Sequence, residues 1–349
     1  MTLILTILLF ILIFGIVIII HEAGHFLVAR REGMRVKEFA FGFPPRIFSK
    51  RKGQTRYTFN SIPLGGYVSI LGEEEESEAK DSFNKKKPMA RLRVVLAGIG
   101  MNFILAWVLL ILYFWVAPFG PKIDAVAVAN VYAGSPAEAA GIKMNDFIVS
   151  ANGTLLTSDE ILGEFTRAHR GEAVTLVIRS QGKEKALTVQ LSADEKAPLG
   201  VAIADVGALP TIPWYLAPWH ALVEMFNVTV AVLGFLGQLI VKIFGVSTSA
   251  SIQAVSGPVG IFSQLKQIMI LGAPAVVHYA ALISLAVGIF NLLPIPALDG
   301  GRAIFLFFES IFGKRALSHA TEAWVHAIGF FVLILIIIVV TYFDIQRLG

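Results

Sequence analysis

Cysteine is absent from all 349 residues. That excludes disulfides and thiolate ligands, so any metal bound here takes nitrogen and oxygen donors. Charge is also scarce: 15% of residues are Asp, Glu, Lys or Arg, while 56% are hydrophobic and the mean hydropathy is +0.72. Soluble domains carry about a quarter charged residues, so the protein reads as an integral component of a lipid bilayer. The formal net charge of +4 is small, and no nucleic-acid partner is expected. The first apolar segment lacks a basic start and a small-residue cleavage pattern before His21. It is therefore expected to stay as a span instead of being removed as a signal peptide.

What is present instead is a set of long apolar runs. Four segments are long enough to cross a bilayer: Leu3–Ala29, Val94–Ala117, Val276–Pro296 and Trp324–Phe343. A fifth, Trp214–Val246, is apolar but carries His220, Glu224, Asn227, Gln238 and Lys242. That spacing suits an amphipathic or partly buried helix as well as a span. Between the first two spans lies a basic cluster running from Arg30 and Arg31 through Arg46, Lys50, Arg51 and Lys52 to Arg91 and Arg93. Such clusters mark the cytoplasmic side, which leaves the N-terminus and the segment after Ala117 outside. His21 is about nine residues before Arg30, hence about 13 Å of helix inside the cytoplasmic edge.

The basic loop has texture of its own. Thr55–Ile62 alternates as a strand, Pro63-Leu64-Gly65-Gly66 reads as a turn, and Tyr67–Leu71 as a returning strand. The hairpin reads either as a device that holds an extended substrate by edge pairing or as a structural re-entrant element. The acidic run Glu73–Glu78 and the basic run Lys80–Lys87 read as a solvated linker. Residues 126–206 alone resemble a soluble domain. β-type runs at Ala125–Val131, Asp146–Ala151, Ala173–Ser180 and Lys185–Leu191 surround helical patterns at Pro136–Ala140 and Ser158–Ala168. Gly134–Ile142, Asn145–Ile148 and the Asn152-Gly153 turn are similar to a bacterial PDZ domain, which would take a peptide or the C-terminal end of a polypeptide as an added strand. A small αβ module without peptide function is the other reading.

The chemistry starts at His21-Glu22-Ala23-Gly24-His25. Two histidines four residues apart share one helix face and reach one Zn²⁺, with Glu22 beside them to act on a water. Ionisable groups inside a span are costly and therefore read as functional. A catalytic zinc takes three protein ligands and keeps one position open. Without cysteine, the third is His, Asp or Glu. Asp299 is the strongest candidate, because Asn291-Leu292-Leu293-Pro294-Ile295-Pro296-Ala297-Leu298-Asp299-Gly300-Gly301 breaks the third span with two prolines, and broken helices at membrane depth line cavities. His220, His278, His319 and His326 read as interfacial or hydrogen-bonded residues. Topology adds a constraint. If Trp214–Val246 crossed, Asp299 would emerge opposite His25, so that segment is expected not to span.

Together these runs resemble the site-2 protease family of intramembrane zinc metalloproteases, most of all its bacterial RseP/RasP-like branch, here with a single PDZ domain. Phe41-Gly42-Phe43, Ile62–Tyr67 and Ser256-Gly257-Pro258-Val259-Gly260 extend the likeness. The resemblance implies one Zn²⁺ on His21, His25 and Asp299, and Glu22 as acid/base. It also implies Asn291 at the substrate or oxyanion, and Asn102, Pro294, Gly65 and Gly66 close to the site. The family's Ala-Gly-Pro-x-x-Asn-Phe reads Ala97-Gly98-Ile99-Gly100-Met101-Asn102-Phe103 here. The expected object is an α-helical, multi-pass protein of the bacterial cytoplasmic membrane. It has four transmembrane helices, a membrane-associated β-hairpin and an inserted extracytoplasmic PDZ (αβ) domain. Its expected segments are 1–30, a loop over 31–93, 94–117, the PDZ-like 121–208, a non-spanning 214–275, 276–313 and 324–344. Its substrates would be single-pass membrane proteins such as anti-sigma factors, or signal-peptide remnants. A non-proteolytic scaffold with structural zinc is the competing reading, against which Glu22 argues.

Overall fold

The computed structural model describes residues 2–348 apart from 74, 76, 118–124, 133, 145, 181–182, 194–196, 205–211, 246–254 and 314–318. Glu74, Glu76 and Asn145, which enter the readings above, lie outside the described residues. The protein divides into two units, Met1–Leu112 with Tyr215–Lys266 and Val277–Gly349, and Tyr113–Trp214 with Gln267–Val276.

In the first unit, Thr2–Arg31 is one helix, α1. It has no proline, and no charge precedes His21, so nothing interrupts it for about 45 Å. It stops at Gly33, whose φ of +66° lets Met34 N–H reach back to Ala29 O at 2.9 Å and satisfy a terminal carbonyl. Two strands follow, β1 (Val36–Lys52) and β2 (Thr55–Ile70). The turn is at Gly53-Gln54, and Pro63–Gly66 lies within β2, not at the turn expected there. Strand β1 leaves no readable sequence signal, because its Pro44-Pro45 pair and basic second half mask the alternation. Arg46–Lys52 pairs back on Asn60–Thr55, while Glu38–Phe41 faces Ser69–Gly66 on one side and Arg56–Phe59 on the other. The sheet packs along α1. Phe26, Phe39 and Tyr57 stack their rings, Phe41 meets Gly15, and Gly66 sits by Ile18 and Glu22.

Helix α2 (Pro88–Val116) opens on proline at its first position, where no N–H is needed, and runs unbroken through Ile99. After the second unit come α5 (Ala217–Ile243), α6 (Pro258–Ile268), α7 (Ala273–Leu292), α8 (Asp299–Phe312) and α9 (His319–Leu348). The third apolar run is thus two helices, split by residues 293–298. Among the described residues five helices are long and apolar enough to cross a membrane: α1, α2, α5, α7 and α9.

Contacts sort the helix ends into two sets. At the basic end Arg93 bonds Glu32 at 2.8 and 3.0 Å, which holds that carboxyl below its ordinary value. There too Arg91 pairs with Glu309 of α8 at 2.5 Å, and Arg302 of α8 with Glu73 at 2.6 Å. Both arginines lie over the Phe83 ring. A core of Phe26, Ala29, Val36, Ile70, Phe83, Val94, Ala303 and Leu306 closes this end. At the far end Phe10 meets Phe262 of α6, Tyr279 of α7 donates to Ile261 O, and buried Asp344 of α9 accepts from Gly260 N–H at 2.8 Å. Glu224 of α5 pairs there with His278 of α7 at 2.5 Å.

The second unit is a six-stranded antiparallel sheet of β3 (Val126–Val131), β4 (Phe147–Ala151), β5 (Thr154–Leu155), β6 (Ala173–Ser180), β7 (Lys183–Gln190) and β8 (Val201–Ala204). Its order is β7-β6-β4-β3-β8, with β5 on β4. Asn152 and Gly153 both take positive φ, the signature of a tight two-residue hairpin turn. Helices α3 (Pro136–Ala139) and α4 (Asp159–Ala168) are capped by Ser135 and Ser158. Strands β5 and β8 are additions to the expected set, too short to show alternation.

The side chains of Arg91 and Glu309 are 7% and 15% exposed. Removing one partner from such a pair strands the other charge, so Arg91→Ala should destabilise by about 3–5 kcal/mol. Arg91→Met combined with Glu309→Leu should recover most of that loss. Thermal unfolding of the detergent-solubilised protein measures both.

Candidate metal centre and active site

Helical periodicity places His21 and His25 on one face of α1, one turn apart. Asp299 comes from the other half of the sequence, as the first residue of α8. Their ligand atoms converge: His21 Nε2 is 3.0 Å and His25 Nε2 3.3 Å from Asp299 Oδ2, and the two nitrogens are 3.1 Å apart. Zinc with N and O ligands at about 2.0–2.1 Å in a tetrahedron requires ligand separations of roughly 3.3 Å. The triangle fits one such ion. Asp299 Oδ2 is buried without a hydrogen-bond partner, as an atom aimed at a cation would be. Among the described residues this is the one cluster of its kind.

The far side of each imidazole is held as a metal ligand's is. His25 Nδ1 donates to Val94 O at 2.8 Å, which leaves the Nε2 lone pair toward Asp299. His21 Nδ1 is 3.1 Å from the amide of Asn102, a fully buried side chain of α2. The atom facing it is Nδ2; with Nε2 as ligand, Nδ1 would bear the proton, and turning the amide over would bring the Asn102 oxygen, otherwise without a hydrogen-bond partner, round to accept it. Ser284 of α7 anchors this stretch of α2 by donating to Asn102 O at 2.9 Å.

Glycines make the convergence sterically possible. A Cβ on Gly98 would fall 2.6 Å from His25 Cε1 and 2.9 Å from His21 Cε1, and one on Gly24 would enter the Ala97 peptide. Gly300 and Gly301 lie against the carbonyls of Leu292, Leu293 and Ile295, which lets α8 start directly beneath the break. Gly66 brings the end strand of the sheet to Glu22, where an added Cβ would stand 3.4 Å from Glu22 Cγ.

The structure therefore brings together His21, His25 and Asp299, with Glu22 on the same helix turn, Asn102 behind His21 and Gly66 beside Glu22. Asn291 lies in the last turn of α7 and donates to Val287 O at 3.0 Å, within its own helix. Pro294 lies in the break between α7 and α8. Gly65 takes a φ of +125° beside the Phe43 ring, away from the ligand atoms' own contacts. The Val94 carbonyl was missed because a backbone acceptor leaves no mark in a sequence. Gly98 left a signal, its place in the Ala97–Phe103 run.

Asp299→Ala should lower zinc content to well under one ion per protein molecule. Gly98→Val, which changes no ligand, should weaken zinc binding by at least about 100-fold, the upper range for losing outer-shell support. Metal analysis of the purified protein with a competing chelator measures both.

The family model for Peptidase family M50 matches residues 9–336. A putative zinc metalloprotease of Clostridium acetobutylicum is 34% identical over 338 residues, 96% of each sequence. One of Fusobacterium nucleatum is 32% identical, covering 98% of this sequence and 99% of its own. The regulator of sigma-W protease RasP of Bacillus subtilis is 29% identical, with 98% and 99% covered. With a match across nearly its whole length and a ligand triangle of zinc dimensions shared by α1 and α8, the chain belongs to peptidase family M50.

Proposed function

We propose that this zinc metalloprotease cuts peptide bonds within membrane-spanning segments of its substrates, with His21, His25 and Asp299 as the zinc ligands and Glu22 as the acid/base. The observation behind this reading is the ligand triangle, two of its members on the apolar helix α1, several residues from that helix's nearer end, and the third at the start of α8. His21, His25 and Asp299 would hold the zinc, which would supply Lewis acidity to a bound water and to the scissile carbonyl. Glu22 accepts the proton of the attacking water and later gives it to the departing amine nitrogen. Val94 O and Asn102 keep the two imidazoles in the ligating tautomer throughout. Asn291, once released from Val287 O, is the donor for the developing oxyanion.

A substrate helix hides its carbonyls in its own hydrogen bonds, so the cut segment must unwind. Support for a holding strand comes from the sheet: Gly66–Ile70 pairs with β1 on one edge only among the described residues, and that end strand passes Glu22. An extended segment added there would present its backbone to the site.

The same reading assigns four spans, α1, α2, α7 and α9, with the basic end in the cytoplasm. The end contacts support alternation: α1 and α7 run toward the basic end, α2 and α9 away from it. Helix α5 is assigned to the outer surface. It starts beside His278 at the far end, and α6 stands at that end too. A crossing by α5 would need a return within residues 245–257, fewer than the roughly twenty a helical crossing takes. The second unit is assigned as a single extracytoplasmic PDZ domain, its capped α4 flanking a groove for a peptide or the C-terminal end of a polypeptide. In that position it docks or sizes substrates already trimmed outside, such as anti-sigma factors, the role that the name of the Bacillus subtilis relative suggests.

Glu22→Gln should keep its zinc and lose cleavage of a transmembrane reporter by about 10²–10⁴-fold, the usual range for a general acid/base. Cleavage at the parent rate would remove Glu22 from the mechanism. A cysteine placed at Lys242, the sole thiol in the protein, should label from outside intact cells; labelling from the cytoplasm alone would make α5 a span.

A further inference from the structure

Ala297, two residues before Asp299, takes a φ of +81°, a left-handed conformation that residues bearing a Cβ avoid. Such conformations persist only where the surroundings over-determine them. The rest of the break is held by its own backbone: Ile295 N–H bonds Leu293 O at 2.7 Å, Leu298 N–H bonds Ile295 O, and Gly301 N–H bonds Leu298 O, both at 3.1 Å. Ala297 is different. Its N–H leaves the loop and donates to His326 Nδ1 of α9 at 3.0 Å. Less than one turn further along α9, Gly329 lies so close to the loop that a Cβ on it would stand 2.6 Å from Pro296 Cβ. Helix α9 thus grips the break at two successive residues, by a hydrogen bond and by close packing, directly before the aspartate.

We propose that His326 is a positioning residue of the metal centre. By accepting the Ala297 N–H it fixes the left-handed turn that delivers the Asp299 carboxylate to His21 and His25. A backbone N–H can only donate, so Nδ1 is the acceptor and the ring bears its proton on Nε2. Without that acceptor, Ala297 relaxes toward ordinary φ, and the carboxylate, two residues on, moves off the point where the imidazoles meet. This role rests on the reading of Asp299 as a zinc ligand. It gives α9, which supplies no ligand, a part in building the site.

The test uses the full-length protein in detergent micelles, reading zinc affinity by chelator competition, the visible spectrum of the cobalt-substituted protein, and kcat and KM on a transmembrane reporter. His326→Leu keeps the bulk and removes the acceptor. It should weaken zinc binding by about tenfold or more, the scale seen when outer partners of ligands are lost, and lower kcat with little change in KM. His326→Asn returns an acceptor near the Nδ1 position and should restore most of the affinity and the cobalt spectrum. Ala297→Gly added to His326→Leu should also restore them, because glycine holds a positive φ without outside help. Parent-like zinc affinity in His326→Leu would overturn the proposal, as would a loss that neither His326→Asn nor the added Ala297→Gly relieves. Should His326→Leu not fold, Ala297→Val in the otherwise parental protein takes over the test: a branched side chain at that φ should weaken zinc, and unchanged affinity refutes the role of the turn. Asp299→Ala separates the two levels. If it binds zinc like the parent, the ligand reading fails; if it loses zinc while His326→Leu does not, only the role of His326 fails.

Discussion

Two imidazole nitrogens and one carboxylate oxygen lie within 3.3 Å of one another inside an apolar helix bundle. Bulk water does not surround polar atoms at that depth, so the protein must satisfy every one of them itself. Much of the first unit can be read as the consequence. Helix α2 must come close enough to α1 to offer Val94 O and Asn102, and it does so over Gly24 and Gly98, where any side chain would collide. Helix α8 must begin where α7 ends, and Gly300 and Gly301 allow it. Small residues at helix contacts are how backbones approach in a membrane. Here they also set the volume left for a metal.

The bundle holds its site from both ends of the short helix α8. At its first residue the proline break and α9 determine where Asp299 stands. Further along, Arg302 and Glu309 tie α8 to Glu73 and Arg91, and both guanidinium groups lie over the Phe83 ring. The charged pairs sit at the basic end, where water and headgroups reduce the cost of holding them. The uncharged devices, a carbonyl, an amide and a backbone N–H, sit at the depth of the metal. The division suits a low dielectric: the arginine charges are paired with carboxylates, and dipoles support the ligating side chains.

The helix-borne part of this was legible in the sequence. A His-Glu-x-x-His spacing on an unbroken apolar run leaves few options once cysteine is absent, and the prolines before Asp299 mark the break between α7 and α8. The strands of the second unit, apart from β5 and β8, showed as β-type runs, with a clear period of two in β6. What stayed hidden has physical causes. Val94 acts through its carbonyl, which every residue has. Arg91 and Glu309 are 218 residues apart, and no local pattern pairs them. Strand β1 bears lysines and arginines on its exposed half, so its alternation is drowned by charge. The Pro63–Gly66 run looks like a turn by composition, yet Gly66 lies in β2, at a position where a Cβ would stand 2.9 Å from Ala40 O.

That glycine connects the sheet to the chemistry. A peptidase acting on membrane spans faces an opponent in the α-helix itself, whose backbone carbonyls are already bonded and cannot be attacked. Unwinding a few residues exposes several N–H and C=O groups at once, each needing a partner in a medium that supplies none. A free strand edge supplies them in register, so pairing along Gly66–Ile70 would stabilise the extended form that the site needs. The edge lies beside Glu22, and a Cβ on Gly66 would stand 3.4 Å from Glu22 Cγ. On the proposed reading, recognition and catalysis would meet at one backbone position, and ease of unwinding would matter to the sheet as much as to the metal.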